Sequence, residues 1–161
     1  FRLPKNNQRF NLLMSLIFFV FLAASGFVQQ AQAQTLRISN SGQTGTSGTN
    51  WSTSGFSTRV ITATGSAHIN TSVIQEYLNL GIDVLIRNTA HPGKMQIEDR
   101  ITKNAGGDAT LTIRANGRVF VWSNRHISST SGKLHVVLWS DYDNDGDGGV
   151  SVTGNLEPPG E

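Results

Sequence analysis

The chain has 161 residues, no cysteine, 17 glycines and only 15% charged residues, with a formal net charge of +2. Without cysteine there is no disulfide framework, so stability must come from side-chain burial, a metal or repetition. The apparent basicity is local. Arg2, Lys5 and Arg9 supply three of the 13 basic residues and lie in a stretch with no acidic ones, which leaves 10 basic against 11 acidic residues beyond residue 33, a net of −1. That balance excludes a nucleic-acid partner held by bulk charge.

In chain order, residues 1–33 come first. A basic head is followed by an apolar stretch from Leu12 to Val28 and by Ala31-Gln32-Ala33. This is the pattern of a cleaved signal peptide, with an A-x-A site ending at Ala33. The apolar stretch is shorter than the roughly 20 residues of a bilayer-spanning helix. The expectation is a protein exported to the outside or the cell surface, with no stable membrane span once the signal is removed. Residues 34–58 are rich in Ser, Thr, Gly and Asn. Leu36-Arg37-Ile38 reads as a short strand and Ser39 to Asn50 as a loop. Trp51 and Phe56 are read as covering the exposed end of a core.

Residues 59–155 carry short alternating segments: Arg59 to Thr64, His68 to Asn70, Asp83 to Ile86, Met95 to Ile97, Ala109 to Ala115, Val119 to Trp122 and Leu134 to Trp139. Gly, Asn and Asp separate them, as turns between strands require. Val73 to Leu80 is the exception, because Ile74, Tyr77 and Leu78 share a helical face and Gly81 supplies a stop. In Ala109 to Ala115, period-2 alternation puts Leu111 and Ile113 on one face and Thr110, Thr112 and Arg114 on the other. An internal repeat is visible: Asp83 aligns with Asp108, Ile101 with Ile127, and Leu111 with Val136, at offsets of 25 or 26 residues. A period in the range of about 20–50 residues predicts a solenoid, in which each unit is too thin to bury its own apolar face and stacking makes the core. Residues 156–161 read as the start of a continuation beyond this stretch, and the chain as the front piece of a longer one.

The stretch Ile101 to Gly149 resembles the coils of filamentous-haemagglutinin-like adhesins and related large bacterial exoproteins. The motifs that carry the resemblance are Gly106-Gly107-Asp108-Ala109-Thr110-Leu111-Thr112-Ile113 and Ile127-Ser128-Ser129-Thr130-Ser131-Gly132-Lys133-Leu134, with a further element from Ile69 to Val84. It covers roughly residues 67–154. The NPNG-type element of the secretion domain of two-partner-secreted haemagglutinins is absent from the sequence. The resemblance implies an all-β fold of right-handed parallel β-helix coils, export across the envelope, and a non-catalytic role in cell attachment or surface structure. The partners it implies are the export machinery and a receptor on a host cell, a glycan or another surface.

The densest chemical constellation is Asp141-Tyr142-Asp143-Asn144-Asp145-Gly146-Asp147. Carboxylates at alternate positions resemble the first half of a calcium loop, but the residue at the twelfth position is Val152 rather than Glu. Two readings stand side by side: a solvated turn, or Ca2+ held by Asp141, Asp143, Asp145 and Asp147. His68, His91, His126 and His135 form no HxH or HExxH pair; His91 reads as a turn residue and His135 as facing water. An alternative function, a β-helix polysaccharide lyase or glycan hydrolase, needs a basic outer face, for which Arg100, Arg114, Arg118 and Arg125 are the candidates.

Overall fold

Most of the glycines, asparagines and aspartates that punctuate the sequence after Thr58 fall at corners or strand ends, and the alternating segments between them become strands. The computed structural model describes residues 34–40, 46–47 and 51–157. The expected signal peptide, 1–33, and the last four residues lie outside the described residues. No helix among the described residues is long and apolar enough to cross a membrane.

The chain winds into a parallel β-solenoid of about 4 turns. The first coil consists of β4 (Thr58–Ala63), β5 (Ala67–Asn70) and the helix α1 (Thr71–Asn79). The second is β6 (Asp83–Asn88), β7 (Gly93–Ile97) and β8 (Ile101–Lys103). The third is β9 (Ala109–Ala115), β10 (Arg118–Val121) and β11 (His126–Ser129). The fourth is β12 (Leu134–Trp139), β13 (Gly149–Val152) and β14 (Asn155–Glu157). Strands at the same place in successive coils pair in parallel and form three faces: β4-β6-β9-β12, β7-β10-β13 and β8-β11-β14.

Inward positions make one core. Ile61, Ile86, Leu111 and Ile113 are fully buried, as are Met95, Ile97, Ile101 and Val119. The Leu111/Ile113 alternation read from the sequence holds, with Thr110, Thr112 and Arg114 on the outer side. Ile127 lies over Ile101 and Val136 over Leu111, as the repeat predicted. The third alignment does not give the register: Val84 lies under Leu111, not under Ala109. The corners differ in length from coil to coil, four residues at Thr89 to Pro92 against two at Asn116-Gly117, so the ladder from β6 to β9 runs at an offset two longer than the 25 of the alignment. Asp83 and Asp108 are equivalent in another sense, since each carboxylate accepts a backbone N–H from the coil above, Thr110 N at 2.7 Å and Lys133 N at 2.8 Å.

The leading segment contributes more than a loop. Its first strand, β1 (Gln34–Ser39), inserts between β5 and β7 and pairs with both in parallel. Leu36 and Ile38 are fully buried. The helix explains how the extra strand fits. On the third face of the first coil α1 stands where a strand would otherwise be, and a helix about 10 Å across fills the height of two strands about 4.8 Å apart. Asn70 caps it, its Oδ1 accepting from Ser72 N at 2.9 Å, which starts the helix two residues before Val73. Ile74 and Leu78 point inward, and Gly81, at φ 72°, ends the segment.

The two ends of the stack differ. At the first coil, β2 (Thr46–Ser47) lies antiparallel on β5 and β3 (Trp51–Ser54) antiparallel on β4, closing both edges. Phe56 does not cover the core. It sits in the turn between β3 and β4 and is 97% exposed, because the antiparallel strands already do the covering. Of Trp51 only the backbone is described. At the fourth coil, β12, β13 and β14 carry no further strand among the described residues. There the inward Leu134, Val136 and Leu138 are only half-buried, whereas their counterparts one coil earlier are buried.

Candidate functional site

The Asp-rich loop connects β12 to β13, and what lies beneath it decides its shape. In the third coil the same corner is only Asn116-Gly117, drawn tight by Gly117 N donating to Gly93 O at 2.8 Å. A side chain on Gly117 would meet that carbonyl at 2.9 Å, so the coils touch backbone to backbone here. The longer fourth-coil loop reaches over this short turn towards the second coil. Asp141 and Asn144 adopt left-handed φ of 54° and 60°, which Asp and Asn tolerate better than most residues.

The four aspartates separate into different roles. Asp141 Oδ1 accepts from Gly146 N at 3.0 Å and closes the loop on itself. Asp147 lies 3.9 Å from the Arg118 guanidinium. Asp143 and Asp145 converge on His91 Nδ1, at 3.1 and 3.4 Å. Asp145 also accepts from Asp147 N at 2.8 Å. His91, Asp143 and Asp145 thus place their ligand atoms within 4.8 Å of one another, all at exposed residues.

His91 is the partner that local spacing could not show, because it lies 52 residues from Asp143. That distance is two repeat periods, so the repeat was the signal that could have found it. The resulting donor set of two carboxylates and an imidazole differs from the six to eight oxygens that calcium takes, and imidazole suits transition metals better. Every carboxylate of the loop already has a partner within the protein. Calcium at millimolar concentration is therefore expected to give no binding heat and no rise in the unfolding temperature. Calorimetry checks this, and a saturable heat lost in Asp143→Asn would show Ca2+ held by the loop.

The arginines are dispersed. Arg114, on β9, stacks over the Tyr142 ring at 3.5 Å from its centroid, and Tyr142 in turn meets Trp139 edge-on at 5.3 Å. Arg118 starts β10 on another face. Arg125, in the turn before β11, lies 3.5 Å from Asp99. His135 faces outward, as its place beside Leu134 and Val136 predicted.

A second constellation occupies the corner between the β7-β10 and β8-β11 faces. Arg37 of β1 donates to Glu98 through Nε at 2.9 Å and Nη2 at 2.6 Å. This hydrogen bonding, and then the charge of Glu98, raises the Arg37 pKa above its ordinary value. Asp99 Oδ2 accepts from Asn40 N at 2.7 Å. Arg37, Ser39, Glu98 and Asp99 line a groove of about 440 Å³ together with Trp122, Ser123 and Arg125. No family model, curated protein or solved structure matches the chain.

Proposed function

We propose that this chain is a secreted or surface-exposed, adhesin-like repeat protein that contributes to attachment or surface structure without catalysis. The observation that carries this reading is the stacking of repeated coils. Strands at the same place in successive coils pair in parallel and turn their apolar residues inward, which leaves rows of outward Thr, Ser and Arg side chains in register along the faces. A regular solenoid of this kind serves as a scaffold, and those outward rows are what it displays. The basic head, apolar stretch and A-x-A site support export to the cell surface. The glycan-cleaving alternative draws less support: Arg114 and Arg118 stand on different faces, Arg100 and Arg125 lie in the turns before β8 and β11, and Arg114, Arg118 and Arg125 are each engaged by another side chain.

The test is attachment. Beads coated with the chain are expected to be retained on bacterial or host-cell layers well above uncoated beads, and the soluble chain is expected to compete. Equal retention of coated and uncoated beads would sink the reading. Release of unsaturated products from polygalacturonate would move the chain to the lyase class.

A further inference from the structure

The groove at the Trp122 corner combines features that scaffolding alone does not need. The Trp122 indole is 51% exposed, although a buried position would gain from the hydrophobic effect. It stands on a rigid platform. Trp122 N donates to Ile97 O of the coil below, and Arg125 N donates back to Trp122 O across the turn, each at 3.2 Å. Gly154 of the coil above lies so close that a Cβ there would meet Trp122 O at 2.7 Å. The ring is thus presented by backbone fixed from both sides, and little ordering remains to be done on binding.

Beside the ring, three levels of the stack contribute polar groups: Arg37 from β1, Glu98 and Asp99 from the second coil, and Arg125 from the third. Two guanidiniums face two carboxylates, so the groove is electrically balanced. A charged ligand would have to break the Arg37–Glu98 pair, which is held by forked hydrogen bonds. An uncharged ligand need not. Each guanidinium has five N–H donors and each carboxylate about four acceptor sites, so the pairs keep capacity to spare. Spare donors and acceptors side by side match adjacent hydroxyl groups, which both donate and accept. An exposed indole face matches the apolar C–H face of a sugar ring. The volume lies in the range of about 300–1,000 Å³ for small-molecule sites, whereas the core of a protein–protein interface is depleted of charge.

We propose that the Trp122 groove binds a neutral glycan, one sugar ring stacked on Trp122 and its hydroxyls bonded by Arg37, Glu98, Asp99 and Arg125. The site deepens the attachment reading and rests on it for its purpose. The probes are cellobiose, maltose, lactose and N,N′-diacetylchitobiose, with a galacturonate oligomer as the charged comparison. They are followed by saturation-transfer NMR and by titration calorimetry on the whole chain.

At least one neutral disaccharide is expected to bind saturably below about 10 mM. Trp122→Ala weakens it about tenfold or more, as loss of an aromatic anchor does. Trp122→Tyr keeps a stacking face and stays within about threefold of the parent. Trp139→Ala, removing the other exposed indole of the described residues, leaves binding unchanged. Raising salt from about 0.05 to 0.5 M has no effect on a neutral ligand. The proposal is overturned if no neutral probe binds, if Trp122→Ala and Trp122→Tyr both bind like the parent, or if only the galacturonate oligomer binds and salt releases it. It is also overturned if the groove captures a protein segment and no sugar. Sugar binding absent with bead retention intact overturns the groove alone; sugar binding present without retention overturns the attachment reading alone.

Discussion

Gly106→Ala is expected to destabilise the protein by about 3 kcal/mol, while Gly107→Ala, one residue on, changes stability by less than about 1 kcal/mol. Gly106 has φ 75°, a conformation that an L side chain enters only with strain. A Cβ there would lie 2.3 Å from the Asn79 carbonyl oxygen and 3.1 Å from Gly81 N. Both are backbone atoms, so no side chain can swing away. Relief would require the second-coil corner to separate from the end of α1, although Asn79 Oδ1 also binds Asn104 N at 2.8 Å and Ala105 N at 3.2 Å. Gly107 has nothing within 4 Å of an added Cβ and no positive φ. Thermal unfolding followed by circular dichroism separates the two, with a fall of about 10 °C expected for Gly106→Ala. Equal effects at the two glycines would refute the close-approach argument.

Lys103 supplies the second large effect. It ends β8, and the parity of Ile101-Thr102-Lys103 turns it inward, where it is fully buried. Among the described residues no carboxylate pairs with it. Its Nζ donates instead to Ala105 O at 2.9 Å, Gly106 O at 3.2 Å and Ser131 O of the next coil. Three donors meet three carbonyls, which is the full capacity of an ammonium group. One coil later, Ser129 stands directly over Lys103, and its single hydroxyl proton is shared between Ser131 O and Gly132 O. A short side chain reaches its own corner, and the long one also ties its corner to the next.

Lys103→Ala is expected to lower stability by about 3 kcal/mol, chiefly through the cavity and the loss of the donor to Ala105 O, since Ser131 O keeps the Ser129 hydroxyl and Gly106 O keeps the Ser131 hydroxyl. Lys103→Met refills most of the volume without restoring the hydrogen bonds, and is expected to cost about 2 kcal/mol. Urea unfolding of the two variants measures the difference. A methionine variant as stable as the parent would show that the carbonyls find other donors.

Much of this architecture was legible because it follows from parity and period. Leu111 and Ile113 alternate with Thr and Arg, so their face was readable, and the offset between Ile101 and Ile127 gave the stacking of β8 and β11 correctly. Even the burial of Lys103 is implied by parity once Ile101 is placed inside. The rest depends on what a linear pattern does not carry. The Asp83–Asp108 alignment matched chemical roles and missed the ladder register, because corner residues change the offset without changing the strands. Leu36-Arg37-Ile38 was readable as a strand, but its insertion between β5 and β7 depends on the thickness of α1, a three-dimensional quantity. In the Asp-rich loop the carboxylates were recognised by type. Which of them meet was settled by the two-residue corner below, which brings Asp143 and Asp145 to His91 and leaves Asp141 and Asp147 to other partners. Trp122 gave no motif, and its groove emerges only where three levels of the stack meet.

The inserted strand has a mechanical meaning as well. A force applied along β1 from the Gln34 side acts parallel to strands hydrogen-bonded on both of its edges, to β5 through Leu36–Ser39 and to β7 through Gln34–Ile38. Bonds on both flanks must then slide and fail together, in shear, instead of opening one after another as at a peeled edge. Among the described residues, β12, β13 and β14 are paired on one side only and have no such clamp. A pull on the chain at Gln34 would therefore load a strand gripped on both edges, and that load would be shared between the first two coils.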